Sequence, residues 1–247
     1  MGLIYGKNPV LEAINSGKTI NKIYFANFSK EIYDIIKLAK DKRIVVVESD
    51  KKKLDKMVDF KNSQGIVASV TEYEYSTVDE ILENARSKNE QPFVLILDKI
   101  EDPHNLGAII RTAECMGVHG IIIQKRNACQ ITDTVEKTSA GAINFVKVAR
   151  VTNITETIKT LKEEGLWIYG LDMNGDSNIY DTKFDGPIGI VVGNEGSGIS
   201  RLVRQNCDFI LSIPMYGKIN SLNASVSVGM SVYEISKQKN LNKNNKW

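Results

Sequence analysis

Apolar positions along the chain fall into two kinds of run. Up to about residue 70 the runs are short and interleaved with charge. An apolar stretch over 22–26 and another over 44–48 predict strands, as does a third over 65–70. Between them, Ile32, Ile35, Ile36 and Ala39 recur at helical spacing over 30–40, and a short lysine-rich helix is predicted over 51–58. Ahead of these, Asn8-Pro9 followed by VLEAINSG predicts a compact helix that Asn8 caps, Pro9 opens and Gly17 ends. The result is a small α/β unit over residues 1–74. The periodicity lapses at TEYEYST (71–77), and residues 75–91 read as a linker carrying a connecting helix over 76–87.

From Pro92 onward the runs lengthen and alternate cleanly. Strands are predicted over 93–97, 120–123, 144–148, 167–171, 188–192 and 209–213, and helices over about 104–117, 132–138, 154–164, 199–205 and 223–238. Uninterrupted apolar strands such as VLIL and IGIVV, separated by helices, predict a parallel sheet covered on both faces. This second domain spans 92–238, and a Lys/Asn-rich tail over 239–247 is expected to be disordered.

Composition narrows the class. At 247 residues, 42% hydrophobic and 25% charged, the chain is expected to be a soluble globular protein. It has no apolar run long enough to span a membrane and no signal-peptide pattern at its start, so a cytoplasmic protein with no membrane partner is expected. Cys115, Cys129 and Cys207 are odd in number and widely spaced, and read as reduced thiols serving as small apolar core residues. Two histidines offer no basis for a metal site, and none is expected. The net charge of +2 conceals an asymmetry: residues 1–74 carry +3 and 237–247 carry +4, while 75–91 carry −2 and 92–236 carry −3. On charge alone, ordinary solvated surface explains this.

A doubly wound sheet binds its ligand beyond the carboxyl ends of its strands. Three segments are predicted there: DKIEDPHNLGAIIRTAECMG (98–117), VVGNEGSGIS (191–200) and IPMYGKINSLNASVSVGMS (213–231). The chain has no GxxxxGK[ST], and no GxGxxG follows the first strand of either unit, which argues against P-loop NTPases and standard dinucleotide enzymes. Taken singly, each segment also has a structural explanation. Asp102-Pro103-His104-Asn105 can be a helix start, Arg111 and Glu114 a surface pair, and Ser221 or Asn223 a helix cap. Taken jointly, Asn105, Arg111, Glu195, Ser221 and Asn223 all fall at strand ends where separate loops converge.

These segments resemble the three motifs of the SpoU (TrmH-like) ribose 2'-O-methyltransferases of the SPOUT class. The first is DPxNxGxxxRxA, from Asp102 through Asn105 and Gly107 to Arg111-Thr112-Ala113. The second is the GxExxG-like loop Gly193-Asn194-Glu195-Gly196-Ser197-Gly198. The third is the IPM…SLNxSVSxG run from Ile213-Pro214-Met215 to Gly229. The likeness covers about residues 92–236. A weaker one, on IYGKNPVLEAI (4–14) and QGIVASV (64–70), links the first unit to the family's ribosomal-protein-like substrate-binding domain, in the arrangement of the enzymes that modify guanosine in 23S rRNA.

The resemblance implies a SPOUT-type parallel sheet with a C-terminal trefoil knot and S-adenosylmethionine as cofactor. Cofactor contacts would fall at Gly193, Ile213 and Leu222, with Met215 and Ala224 as neighbours. It implies that Arg111 activates the ribose hydroxyl, with Asn105, Glu195, Ser221 and Asn223 around it. A guanidinium hardly deprotonates, so phosphate positioning and alkoxide stabilisation are the physically easier role for that arginine. The family works as homodimers packed through the knotted domain. In the first unit, Lys7 and Asn8 are candidate RNA contacts. The alternatives are a tRNA ribose methyltransferase and a non-catalytic RNA-binding assembly factor on the same fold.

Overall fold

The structure, a computed structural model, describes residues 2–16, 18, 20–26, 29–70, 73–219 and 221–244, with side chains as far as 239. It divides into two compact units, Met1–Glu74 and Tyr75–Trp247.

The first unit is a four-stranded sheet in the order β1-β4-β2-β3, built from β1 (Gly2–Tyr5), β2 (Ile20–Phe25), β3 (Val46–Glu48) and β4 (Ile66–Val70). The central β4 pairs antiparallel with β1 and β2, and β3 pairs parallel with β2. Helices α1 (Lys7–Ser16) and α2 (Lys30–Asp41) close one face: Val10 and Ile14 meet Ile32, Ile35, Ile36 and Ala39 over Ile23 and Ala68. Ser29 starts α2 by accepting the N–H of Ile32. The short α3 (Lys51–Met57) has a single fully buried residue, Leu54, packed with Val58 and Val67. One expectation fails at the entry to α1. The helix begins at Lys7, so Asn8 lies inside its first turn and is not its cap; the break before it is made by Gly6 at φ +94°. The expected stop at Gly17 lies outside the described residues.

The second unit is a seven-stranded, all-parallel sheet in the order β7-β6-β5-β10-β8-β11-β9. Its strands are β5 (Phe93–Asp98), β6 (Gly120–Gln124), β7 (Lys147–Val151), β8 (Trp167–Leu171), β9 (Ser177–Asn178), β10 (Ile188–Gly193) and β11 (Phe209–Ser212). The helices are α4 (Val78–Ser87), α5 (Pro103–Cys115), α6 (Asp133–Thr138), α7 (Ile154–Glu163), α8 (Arg201–Asn206) and α9 (Ala224–Asn244). From β5 the chain steps outward through β6 and β7, then crosses to β8, and β10 fills the place between. The strand order therefore reverses beside β5 and β10.

Residues 75–91 do not form a linker. Ser76 bridges to Ala149 of β7, the Tyr75 hydroxyl accepts the N–H of Ile131 at 2.8 Å, and Arg150 lies over the Tyr75 ring. A Thr77–Glu80 capping box starts α4, whose Ile81 and Leu82 join the core against Val94 and Ile122. This segment is the first helical layer of the second unit. The strand predicted over 144–148 begins later, at Lys147, because Ala140 and Gly141 adopt left-handed backbone and a 3-10 turn occupies 142–144. The tail is not disordered throughout: α9 continues to Asn244, anchored where Gln238 donates to the carbonyl of Thr182 and accepts the N–H of Phe184. Cys115 is exposed and not a core residue, whereas Cys207 packs against the core and burial pushes its thiol up to about 12. Among the described residues no helix is long and apolar enough to cross a membrane, and no group of side chains is arranged to hold a metal ion.

Candidate active site at the strand ends

Three carboxyl-end loops converge beside the reversal point. Strand β5 ends at Asp98, whose buried carboxylate accepts the N–H of Ser200 at 2.7 Å and ties the exit of the 194–200 loop to the sheet. After it, Asp102 caps α5 by accepting the N–H of His104, with Pro103 in the first turn. The same turn places Asn105, a buried polar residue, at the top of the sheet.

Strand β10 runs out through Gly193 into a loop that folds back on itself, with Asn194 bridged to Gly198. A Cβ on Gly193 would lie 2.1 Å from the carbonyl carbon and oxygen of Gly198, so only glycine fits. Asn194 holds the turn by accepting the N–H of Gly196 and donating to the carbonyl of Lys99. Glu195 stands at the tip. Its Oε1 accepts from Asn105 Nδ2 at 2.9 Å, from Asn223 Nδ2 at 2.5 Å and from the backbone N–H of Ala224 at 3.2 Å.

Asn223 is the third arm. Its Nδ2 also donates to Asn105 Oδ1 at 2.9 Å, while its Oδ1 accepts the N–H groups of Ser225 and Val226. It therefore caps α9 and joins the network at once. One carboxylate oxygen thus gathers α5, the 193–198 loop and the amino end of α9. A long helix presents unsatisfied N–H groups and a partial positive charge there, which favours the anion. No partner engages Glu195 Oε2 among the described residues.

Beside this network lies a cavity of about 300 Å³. Gly193, Ile213, Met215, Leu222 and Ala224, all predicted to touch a cofactor, line it, together with Glu195 and Ser221. The sequence reading missed its other wall, Leu171 at the end of β8 with Asp172, Met173 and Asn174 after it. Those residues carry no motif; the only available signal was their place at and just past the end of an apolar strand. Asp172 is held there by an ion pair with Arg204 at 2.9 Å. Apolar walls, loop backbone and two carboxylates match a small ligand with apolar parts and a positive charge.

The predicted residues are thus not all brought together. Asn105, Glu195 and Asn223 form one hydrogen-bonded unit, and Ser221 lies on the cavity wall outside it. Arg111 stands apart. It lies six residues beyond Asn105 on α5, about 9 Å along the axis and on another face. It is exposed and has no ion pair or hydrogen bond among the described residues. In the first unit, Lys7 is ion-paired with Glu31, which lowers that carboxyl's pKa, and its N–H donates to Gln64 Oε1 at 3.1 Å; Asn8 is exposed.

A second cavity, about 670 Å³, lies at the amino end of the same strands, among Glu90, Phe93, His119, Phe184 and Lys239. His119 is buried there and its Nδ1 accepts the N–H of Phe93 at 3.0 Å, so the ring proton sits on Nε2, which donates to Glu90 at 3.1 Å. Burial holds its pKa below the usual imidazole value.

A parallel sheet with a ligand cavity at its reversal point, joined to a small separate α/β unit, defines a two-unit α/β protein built to act on a ligand beyond its strand ends. The family model for SpoU rRNA methylases matches residues 92–233, and the model for RNA 2'-O ribose methyltransferase substrate binding matches residues 3–76. The chain belongs to the SpoU rRNA methylase family. It is 44% identical over 239 residues to a putative TrmH family tRNA/rRNA methyltransferase, YacO, of Bacillus subtilis, with 96% of each chain covered. Among solved structures it is similar to the SpoU methyltransferase AviRb of Streptomyces viridochromogenes, at 25% identity and a TM-score of 0.64, covering 97% of this chain and 90% of that one. A TrmH/SpoU tRNA-modifying enzyme of A. aeolicus matches at 28% identity and a TM-score of 0.58, covering 66% of this chain and 81% of its own. The second unit has the SPOUT-type fold of these proteins.

Proposed function

We propose that this protein methylates the ribose 2'-hydroxyl of a guanosine in 23S rRNA, in the cytoplasm. As a SpoU-family enzyme it is an RNA ribose 2'-O-methyltransferase that uses S-adenosylmethionine. The observation that carries the reading is the meeting of the cavity walled by Gly193, Ile213 and Leu222 with the Asn105–Glu195–Asn223 network. The preference for rRNA over tRNA rests on the first unit, which carries the match to the substrate-binding model.

When bound, S-adenosylmethionine supplies a methyl group already activated on a sulfonium, so the protein's task is alignment and removal of one proton. The backbone of the 193–198 loop and the apolar side chains of Ile213, Met215 and Leu222 would hold the cofactor. Glu195 and Asp172 place negative charge beside a cationic ligand. Glu195 Oε1 is fully engaged in holding the loops, which leaves Oε2 as the acceptor the site offers for the hydroxyl proton. Arg111 stays protonated and acts by holding a phosphate and stabilising developing oxyanion charge. Because Arg111 lies apart from the network of its own chain, it serves the site of a second copy in a homodimer. Val226, Met230 and Tyr233, exposed at helical spacing on α9 beside the buried Val228, Val232 and Ile235, form the face that pairs the copies.

The test is transfer of labelled methyl from the cofactor to RNA, followed by mapping of 2'-O-methylation in rRNA and tRNA from cells with and without the protein. Label confined to tRNA overturns the rRNA assignment. Arg111→Ala should lower methyl transfer by about a thousandfold with cofactor affinity unchanged; lost cofactor affinity would show that the arginine belongs to the cofactor pocket.

A further inference from the structure

The turn between α3 and β4 places an aromatic ring where burial cannot hold it. Phe60 is 80% exposed. Its φ is +59°, and Asp59 before it has φ +51°. Left-handed backbone is an outlier for a bulky side chain, and such strain persists only where the surroundings impose it. Here they do. The N–H of Phe60 donates to the carbonyl of Asp55 at 2.7 Å, and that residue's carboxylate accepts the Ser63 hydroxyl at 2.5 Å. Ser63 and Asn62 in turn accept the N–H groups of Gly65 and Gln64. The same turn is joined to the start of α1 through Gln64 and Lys7.

Lys51, Lys52, Lys53 and Lys56 on α3, and Lys61 next to the ring in the chain, are all exposed and none is ion-paired among the described residues. Some exposed lysines elsewhere have acidic partners, as in Lys159–Glu156 and Lys237–Glu234, while others, such as Lys30, Lys37 and Lys99, have no ion pair among the described residues. What sets this turn apart is five such lysines within eleven residues beside an exposed ring. Of the three local acids, Asp55 is engaged with Ser63, while Asp50 and Asp59 are exposed.

We propose that this turn is a single-stranded RNA platform, on which Phe60 stacks an unpaired base while the lysines of α3 and Lys61 hold the flanking phosphates. A fixed, exposed ring beside unpaired cations matches a base joined to phosphates, since every base has a stacking face and the backbone carries the charge. A protein contact would cover the ring but leave five lysines uncompensated. The inference rests on the reading of the first unit as the RNA-recruiting one.

The test uses the full-length protein, a labelled RNA hairpin with an unpaired loop, and a fully paired duplex of equal length. Phe60→Ala should weaken hairpin binding about tenfold, leaving duplex and cofactor binding unchanged. Replacing Lys51, Lys52 and Lys53 together by Gln should reduce the slope of log affinity against log salt by about 2. Phe60→Trp should bind as the parent does, with added fluorescence quenched by the hairpin and not by the duplex. Parental hairpin affinity in Phe60→Ala, with no quenching in Phe60→Trp, overturns the platform. If the lysine variant still weakens binding in that case, RNA recruitment by the unit stands and only the stacking fails. Loss of self-association in Phe60→Ala, with RNA affinity intact, would assign the ring to a protein contact and likewise overturn it.

Discussion

Two loops carry the chemistry of this chain, and they are built on opposite plans. In the 193–198 loop polar groups turn inward: Asn194 holds the turn, and Glu195 gathers three N–H donors from two helices. In the 59–65 turn only the base is tied, through Asp55 and Ser63, while the ring of Phe60 and the neighbouring lysines are left facing solvent. The first plan suits a small ligand, which needs a pocket of fixed shape. The second suits a long polyanion, which supplies the missing partners itself.

The largest effect that would sharpen this contrast is at Gly193. An alanine there meets the Gly198 backbone at 2.1 Å, and backbone cannot step aside as a side-chain tip can. Gly193→Ala should cost about 2–3 kcal/mol of stability and lower cofactor affinity at least a hundredfold, read by thermal unfolding and calorimetry. An affinity within tenfold of the parent would show that the loop is not the rigid pocket wall described. Glu195→Gln comes next. It keeps an acceptor of the same shape but removes the charge, and charge-assisted hydrogen bonds are about twice as strong as neutral ones. Methyl transfer should fall about a hundredfold, measured at saturating cofactor, because the amide can no longer take the hydroxyl proton. Glu195→Ala should also cost stability because three donors then lose their acceptor.

The contrast also explains what was legible beforehand. The 193–198 loop is written in residues with few substitutes: glycines where a Cβ would collide, and Glu195, Asn105 and Asn223 where three helices and loops share one oxygen. Such residues form motifs, and the parallel sheet followed from its uninterrupted apolar strands. The 59–65 turn is written in Asp59, Phe60 and Gln64, whose left-handed backbone no residue type signals. Segment 75–91 was misread for a related reason. Tyr75 and Thr77 look polar and turn-like in sequence, yet they dock and start the first helix of the second unit. Arg111 was placed correctly on α5 by its motif. Its offset from Asn105 follows from the helical repeat once both residues are known to share α5.

The two units should also part in their response to acid. Both histidines, His104 and His119, lie in the second unit. His119 has a lowered pKa in the folded protein, so below about pH 6.5 the unfolded chain binds a proton that the folded one resists. The stability this residue contributes is present above that pH and is lost as pH falls, by at most about 1.4 kcal/mol per pH unit. The stability of the second unit, followed by hydrogen exchange of its core strands, should fall between pH 7.5 and pH 5.5 by no more than about 1.4 kcal/mol, and by more than that of the first unit. His119→Asn keeps an acceptor for the N–H of Phe93 and should flatten the difference. An unchanged slope in that variant would place the acid sensitivity elsewhere.

The smallest effect carries the opposite sign and decides whether Phe60 is there for stability at all. With its ring 80% exposed, Phe60 gains little from burial, while its left-handed backbone costs about 1 kcal/mol or more. Glycine removes that cost, though its freer unfolded chain gives part of the gain back. Phe60→Gly should therefore stabilise the first unit by about 0.5 kcal/mol, raising its thermal midpoint by about 2–4 °C. If the variant is less stable than the parent, the ring makes a packing contribution that its exposure does not show. If it is more stable and also binds the hairpin RNA more weakly, the strain at residue 60 is retained for what the ring touches outside the protein.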